Sequence, residues 1–185
     1  MYYANIKKYD ISNGIGIRVS LYVSGCRNHC KGCFNKETWD FNYGKLYTKD
    51  TEKEIFDELD KKYISGITFL GGEPMEPENQ IIISQLIFKI RKIYKNSKSI
   101  WIFSGYTLNE LLNKNNHTYT KYTTSILDNI DILVDGKFII EKKNISLRFR
   151  GSENQRIIDM NKTRDKKLDY SDIILWEGMY NKDKS

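Results

Sequence analysis

Three cysteines and one histidine lie within a stretch of twelve residues, Ser24 to Asn35, which reads SGCRNHCKGCFN. Cys26, Cys30 and Cys33 are all the cysteines of the chain, and His29 stands between the first two. Thiolate and imidazole groups are the ligands that borderline and soft metal ions prefer in proteins. Their close spacing predicts a metal centre.

Three interpretations of this cluster are open. The spacing is also that of one face of a buried helix, but Gly25 and Gly32 are poor helix formers. A structural zinc site would take His29 as its fourth ligand. Such sites usually combine two ligands close together in the sequence with a second, distant pair of ligands, and this sequence has no second pair. An iron–sulfur cluster normally takes four cysteines, so three would leave one iron open for chemistry. We favour the iron–sulfur cluster. We expect His29 to contact a ligand or a backbone carbonyl and not to bind the metal itself.

Strand and helix patterns alternate along the chain around this loop. Near-continuous apolar runs predict buried strands over 17–24, 66–70, 99–103, 131–134 and, less clearly, 145–149. Helical patterns cover 49–63, 78–94 and 107–115, and in the second an apolar stripe runs through Ile82, Leu86, Ile90 and Ile93. Residues 115–128 read as a polar loop with a helical turn at its end. This order predicts an α/β fold with a parallel sheet curved into a partial barrel.

Each predicted strand is followed by glycine and polar residues. These are Gly25 and Cys26, the GGEP stretch from Gly71 to Pro74, Ser104 with Gly105, the DGK stretch from Asp135 to Lys137, and RGSENQR at 150–156. The carboxyl ends of parallel strands meet at one edge of the sheet, where loops and helix N-termini form ligand sites. The five strand ends therefore predict a single site.

Length and composition narrow the class of protein. The chain of 185 residues fits one compact domain, and its apolar content of 39% is ordinary for a globular protein. We expect a core domain over 1–160 and a C-terminal extension over 161–185, in which 172–176 either adds a strand or covers an apolar patch.

The net charge of +6 comes from lysines spread along the chain, so we expect no nucleic-acid partner. Without an apolar signal or a membrane span, we expect a cytoplasmic protein with reduced thiols.

The cysteine spacing and the strand-end motifs together resemble the radical S-adenosylmethionine enzymes. Among them, the motifs are most similar to those of the proteins that activate anaerobic ribonucleoside-triphosphate reductase. The resemblance extends from Asn13 to Arg156 and rests on NGIGIRVSLYVSGC, HCKGCFN followed by TW, LGGEP, DGK and RGSENQR. In this subgroup Gly32 stands where the wider superfamily has an aromatic residue, so backbone from Gly32 to Phe34 is the expected contact to adenine.

The resemblance implies a partial (β/α) barrel, a [4Fe-4S] cluster and S-adenosylmethionine as cofactor. Three thiolates, which count as both catalytic and metal-binding residues, would hold the cluster: Cys26, Cys30 and Cys33. The expected cofactor-binding residues are Gly32, Cys33, Phe34, Gly71, Gly72, Glu73, Ser104, Asp135 and Lys137. The implied activity is reductive cleavage of the cofactor to a 5′-deoxyadenosyl radical, which makes a glycyl radical on the large reductase subunit. A flavodoxin or a thiol reductant would supply the electron.

Two other functions agree with the same residues. The chain could be another small radical S-adenosylmethionine enzyme, acting on a different glycyl-radical enzyme or on a small molecule such as a deazapurine precursor. It could also be a zinc-stabilised binding module without catalysis. Arg18, with Gly14 and Gly16 before it, is expected either to shape the mouth of the site or to form a tight hairpin.

Overall fold

The computed structural model describes residues 1–165 and 172–178. Seven strands form one sheet in the order β3-β1-β2-β4-β5-β6-β7. The strands are β1 (Tyr2–Asp10), β2 (Ile17–Val23), β3 (Lys45–Leu46), β4 (Ile64–Gly71), β5 (Ser99–Phe103), β6 (Ile132–Asp135) and β7 (Arg156–Asp159). The α-helices are α1 (Lys49–Leu59), α2 (Pro77–Tyr94), α3 (Leu108–Leu112), α4 (Thr123–Asp128) and α5 (Met160–Asp165). Two short 3₁₀ helices cover Lys36–Trp39 and Ile140–Lys142.

The sheet is parallel at its centre and antiparallel at both edges. Strands β2, β4, β5 and β6 pair in parallel, as the alternation of strands and helices predicts. Strand β1 pairs antiparallel with β2 and β3, and β7 pairs antiparallel with β6. The mixed α/β class is therefore confirmed.

The prediction of a fifth strand over 145–149 is wrong. These residues form turns, and the last strand of the sheet is β7, which begins at Arg156. The RGSENQR motif consequently precedes a strand instead of following one. Phe149 adopts a positive φ of 56°, which a continuous strand does not allow.

The two faces of the sheet have different coverings. Alternate residues of the central strands join the helices in a large apolar core, for example Val19, Leu21, Phe69 and Ile102. The opposite face carries a smaller cluster of Trp101, Ile132, Val134, Phe149 and Ile157. Loops, rather than helices, cover this second face, which leaves room for a cavity.

Helix α2 lies on the helical face, but its buried side is rotated from the predicted stripe. Leu86 and Ile90 are buried as expected, together with Ile83 and Ile87. Ile93 is exposed because the buried face ends at Tyr94, which packs against the core in the same turn. Within the described ranges, no helix has both the length and the apolar character that crossing a membrane requires.

Residues 172–178 lie against the edge of the sheet. Leu175 forms a bridge with Ile158, and the Trp176 amide donates to the Ile157 carbonyl at 2.9 Å. The Trp176 ring packs edge-on to Trp101, with ring centroids 5.7 Å apart. The segment therefore pairs like a strand and also covers the apolar patch. Residues 166–171 and 179–185 of the expected extension lie outside the described residues.

Arg18 is fully buried at the amino ends of the parallel strands, far from the strand ends that carry the predicted site. Its guanidinium donates five hydrogen bonds of 2.7–3.1 Å, to the Thr68 and Ser99 hydroxyls and to the Ile15, Ile67 and Ser99 carbonyls. It also lies over the Trp101 ring, 5.3 Å from the centroid. Burial lowers the pKa of Arg18 to about 10, so the side chain stays charged at neutral pH. Arg18 therefore joins β2, β4 and β5 and is structural.

We predict that Arg18→Ala lowers the free energy of unfolding by about 3 kcal/mol, because it leaves a cavity and buried carbonyls without donors. Urea unfolding followed by circular dichroism measures this change. Lys92→Ala, on the exposed side of α2, is the matched control and should change the free energy by no more than about 0.5 kcal/mol. Equal effects of the two substitutions would contradict the structural role of Arg18.

Candidate metal and cofactor site

The cysteine loop, residues 24–39, leaves the carboxyl end of β2 and is closed by backbone hydrogen bonds. The Gly25 amide donates to the Thr38 carbonyl at 2.8 Å, and the Cys26 amide donates to the Trp39 carbonyl at 3.2 Å. The 3₁₀ helix Lys36–Trp39 thereby returns the chain to the start of the loop. This closure fixes all three cysteines to the edge of the sheet.

Backbone amides lie near each of the three thiols. The Cys26 thiol is approached by the amides of Asn28 and His29, and the Cys30 thiol by the amide of Phe138. The Asn35 amide donates to the Cys33 sulfur at 3.4 Å. Amide donors of this kind surround the sulfur ligands of iron–sulfur clusters and tune their potential.

Two of the thiols, Cys26 and Cys30, have raised pKa values and need a positive partner before they lose their protons. Burial, with the Glu73 carboxylate nearby, raises the pKa of the Cys26 thiol to about 12. Burial also raises the pKa of Cys30, and the Lys137 charge and the Phe138 amide oppose that rise. A bound metal supplies the missing charge, since a coordinating thiol is deprotonated outright.

The loop between β4 and α2 forms the facing wall of the site. The buried Glu73 carboxylate accepts four hydrogen bonds, from the Met75 amide, the Gly105 amide, the Ser104 hydroxyl and the Asn28 side-chain amide. Burial raises the pKa of Glu73 to about 7, and the donors from Met75, Gly105 and Ser104 act against that rise. Glu73 therefore ties β4, β5 and the cysteine loop together at one carboxylate.

Gly71 and Gly72 allow this wall to approach the cysteine loop. A Cβ atom on Gly72 would lie 2.7 Å from the Gly25 carbonyl oxygen and 2.9 Å from that of Thr38. Gly71 has a φ of 107°, and a Cβ atom there would lie 2.8 Å from the Val23 carbonyl oxygen. The two glycines are thus required by close backbone packing between neighbouring strand ends.

Arg27 and Glu76 form a second tie between the same two loops. The fully buried Glu76 carboxylate accepts the Arg27 backbone amide at 2.9 Å and its guanidinium at 2.5 Å. The same guanidinium reaches the Glu78 carboxylate and lies over the Phe41 ring, 4.4 Å from the centroid. Such charged hydrogen bonds are stronger than neutral ones and fix geometry.

Residues 115–128 contact the side chains that surround Glu76 and begin α2. The Tyr106 hydroxyl lies 3.4 Å from the Glu76 carboxylate and 3.2 Å from the His117 ring. Gln80 on α2 donates to the Thr118 carbonyl and accepts from the Thr123 hydroxyl. The helical turn expected in this segment is present as α4, so the segment is an ordered support for the site.

The cysteine loop and the strand ends enclose a cavity of about 380 Å³. Eight of the eleven residues that the sequence assigns to the site line it: Cys26, Cys30, Cys33, Phe34, Gly71, Gly72, Glu73 and Ser104. They come from distant parts of the chain, and the carboxyl ends of β2, β4 and β5 bring them together around one cavity. Gly32, Asp135 and Lys137 are not among the lining residues.

Each of these three residues is a sequence neighbour of a lining residue, Cys33 or Gly136. Gly32 has a φ of 74° and packs on Ile140, whose side chain a Cβ atom would meet at 2.8 Å. The buried Asp135 carboxylate accepts the Leu108 amide at 2.7 Å and forms an ion pair with Arg156. Lys137 is exposed and acts on the site through its charge.

Several lining residues were missed from the sequence, including Asn13, Asn28, Trp39 and Gln155. Gln155 is part of RGSENQR, and its side chain donates to the Gly136 carbonyl while accepting the Gly151 amide. The motif therefore folds back onto DGK, a contact that no spacing in the sequence signals. His29 is absent from the lining and stacks on Trp39, with ring centroids 4.5 Å apart.

The arrangement of thiols suits a cluster. Across residues 1–165 and 172–178, no three Cys, His, Asp or Glu side chains lie close enough to share one metal ion. The three thiols line one cavity. Cysteine thiolates are the ligands that hold iron–sulfur clusters.

Comparison with known proteins identifies the family. A family model described as a 4Fe-4S single cluster domain matches residues 12–158. Anaerobic ribonucleoside-triphosphate reductase-activating protein of Enterobacteria phage T4 is 36% identical over 159 residues, which are 85% of this chain and 93% of that protein. The protein of that name from Vibrio cholerae is 40% identical over 85% of this chain and 97% of its own length. The one from Escherichia coli (strain K12) is 40% identical over 84% and 96%. This chain, with three thiols around one cavity, belongs to the family of anaerobic ribonucleoside-triphosphate reductase-activating proteins.

Proposed function

We propose that this protein is an oxidoreductase that cleaves S-adenosylmethionine reductively and generates a glycyl radical on the large subunit of anaerobic ribonucleotide reductase. One observation supports this most strongly. All three cysteines line a cavity whose facing wall carries Glu73 and Ser104, in a chain of the activating-protein family. That arrangement places the expected cluster ligands and the expected cofactor-binding groups around the same cavity.

Cys26, Cys30 and Cys33 would hold the [4Fe-4S] cluster and leave one iron without a protein ligand. When bound, the cluster supplies the single electron that breaks the sulfonium bond of S-adenosylmethionine. The chain contributes geometry and exclusion of water. Its backbone amides at Asn28, His29, Asn35 and Phe138 stabilise the thiolates, and the closed loop holds their spacing.

Glu73 is the expected acceptor for the ammonium group of the cofactor. A carboxylate has about four acceptor positions, and Glu73 already has four donors. The contact from the Asn28 side chain is the longest of them, at 3.2 Å. Binding of the ammonium group would therefore replace Asn28, while Gly71, Gly72 and Ser104 border the space beside it. Phe34 and the backbone from Gly32 would approach the adenine.

Asp135 and Lys137 do not line the cavity and would act on the bound cofactor indirectly. Asp135 holds Arg156 and the start of α3, and Lys137 provides positive charge near Cys30 and the carboxylate end of the cofactor. The sheet, with helices on one face and the cavity on the other, agrees with a partial (β/α) barrel of radical S-adenosylmethionine type. We also propose that 1–160 is the core domain and that 161–185 extends it. A flavodoxin or thiol reductant in the cytoplasm would deliver the electron.

The direct test mixes anaerobically reconstituted protein, dithionite, S-adenosylmethionine and the purified large reductase subunit. We expect a stable glycyl radical signal in electron paramagnetic resonance, which is absent when the cofactor is omitted. Cleavage of the cofactor with no radical on the subunit would indicate an enzyme for another substrate. A colourless protein that binds zinc and gives no signal after reduction would indicate a binding module.

We predict that Cys30→Ala abolishes both stable iron binding and cofactor cleavage, because it removes one of three cluster ligands. His29→Ala should retain the iron and weaken cleavage, since the His29 ring only stacks on Trp39. Iron content after reconstitution and release of 5′-deoxyadenosine are the two measurements. Equal loss of iron in both variants would make His29 a ligand.

Arg27→Met should loosen the cysteine loop from Glu76 and leave that buried carboxylate without its cation. We expect the reconstituted variant to lose its cluster severalfold faster than the unaltered protein when iron is chelated. Lys31→Met is the matched control, because the Lys31 side chain lies in the same loop and is 84% exposed. If both variants keep their clusters equally well, Arg27 does not position the loop.

A further inference from the structure

Residues 172–178, here termed the edge segment, lie beyond the part of the chain that the family model matches. Two backbone hydrogen bonds of 2.9 Å fix the segment to β7. The Asp159 amide donates to the Ile174 carbonyl, and the Trp176 amide donates to the Ile157 carbonyl. The Ile174 amide donates in turn to a threonine hydroxyl of α5 at 3.1 Å. The edge segment is therefore held in place by both β7 and α5.

The edge segment brings the Trp176 ring into contact with two other aromatic rings. Its centroid lies 5.7 Å from that of Trp101 and 6.3 Å from that of Phe149, and the Trp101 and Phe149 centroids are 5.4 Å apart. The planes of the three pairs are inclined by 57–78°, an arrangement that aromatic rings favour. Phe149 is the one ring of the three that lines the cavity. Trp176 therefore packs against a ring of the cavity wall without itself reaching the cavity.

Phe149 depends on this packing because its backbone is in an unfavourable conformation. Its φ of 56° lies in the left-handed region, which residues other than glycine rarely adopt. It belongs to a stretch of turns, not to a strand or a helix. Such a conformation persists only where the surrounding structure imposes it. The Phe149 side chain is 9% exposed, and its contacts with Trp101 and Trp176 provide that constraint.

The part of the cavity beside Phe149 is apolar. Phe103 packs against the aromatic cluster that contains Phe149, and Phe103, Leu147 and Phe149 all line the cavity. An apolar wall that stays closed keeps water and small polar molecules out of a site and so prevents side reactions. Exclusion matters most to a radical reaction, because any hydrogen donor that enters the cavity competes with the intended one.

We propose, on the basis of the function proposed above, that the edge segment belongs to the functional site. In this role Trp176 is a positioning residue: it keeps Phe149 in the cavity wall, and the closed wall keeps small hydrogen donors away from the reaction.

The two competing reactions differ in the bond that supplies the hydrogen atom. In the productive reaction, the 5′ carbon of the cofactor gains a hydrogen atom from the glycine Cα, whose C–H bond breaks and leaves the unpaired electron on Cα. In the competing reaction, the hydrogen atom comes from the S–H bond of a thiol reductant, which becomes a thiyl radical. Each competing event consumes one cofactor molecule and one electron and yields no glycyl radical.

Substitutions at two neighbouring positions test this role. Trp176→Ala removes the ring, and Trp176→Phe keeps a smaller one. Leu175→Ala is the matched control, because Leu175 lies in the same segment, is 52% exposed and bridges to Ile158 through its backbone. Trp176→Leu, which is apolar but not aromatic, takes the place of Trp176→Ala if that variant does not fold.

The first measurement needs no turnover. Amide hydrogen exchange of the reconstituted protein, without cofactor or subunit, reports how firmly residues 145–152 are held. We expect Trp176→Ala to speed exchange there by about tenfold and to leave β4 unchanged, because the support it removes is local. Trp176→Phe and Leu175→Ala should exchange as the unaltered protein does. Faster exchange in β4 as well would indicate a general loss of stability and would overturn the positioning role.

The second measurement counts products. Reconstituted protein, dithionite, S-adenosylmethionine and the large reductase subunit are mixed with dithiothreitol in D₂O, in which the thiol hydrogens become deuterium. We expect Trp176→Ala to raise the amount of 5′-deoxyadenosine formed per glycyl radical by about threefold or more, because the wall no longer excludes the thiol. The additional product should carry deuterium at its 5′ carbon, since the glycine Cα hydrogen does not exchange with solvent. Trp176→Phe and Leu175→Ala should keep the ratio of the unaltered protein.

An equal ratio in Trp176→Ala and Leu175→Ala would overturn the proposal, whatever their exchange rates. Failure of the proposed function gives a different result, in which the unaltered protein forms no glycyl radical. The exchange measurement then decides by itself whether Trp176 holds Phe149 in the wall.

Discussion

Two carboxylates of the loop between β4 and α2 are buried against the cysteine loop, and the position of the three thiols depends on them. A buried carboxylate is unfavourable unless charges or hydrogen bonds compensate it. Glu76 is compensated by Arg27, and Glu73 by donors that include Asn28. Because both compensating side chains belong to the cysteine loop, the loop and the carboxylates stabilise each other. The thiols are thereby held beside the ends of β4 and β5.

The two faces of the sheet have different roles: one carries the apolar core and the other carries the candidate site. Its helical face carries the large apolar core, whereas its other face has a small aromatic cluster, the buried Arg18 and the cavity. Trp101 contacts both Arg18 and Trp176, and so links the amino ends of the strands to residues 172–178. A site on a face without helices can admit large molecules while the core beneath it stays closed.

The features that depend on residues close together in the chain could be predicted from the sequence. The alternation of apolar runs and helical patterns predicted the parallel centre of the sheet, and the cysteine spacing and the strand-end motifs predicted eight of the residues that line the cavity. The antiparallel edges were missed, because β1 alternates exposed residues such as Lys7 with half-buried ones and β7 has only four residues. The pairing of Arg27 with Glu76 spans 49 positions and leaves no local pattern. The ion pair of Asp135 with Arg156 spans 21 positions and likewise leaves no local pattern.

The central claim is that three thiolates of one loop hold a cluster with an iron open to the cofactor. Mössbauer spectroscopy of protein reconstituted with ⁵⁷Fe, before and after addition of S-adenosylmethionine, tests this most directly. We expect a [4Fe-4S] cluster in which one iron site alone changes its isomer shift when the cofactor binds. A spectrum that does not change with the cofactor, or a single mononuclear site, would contradict it.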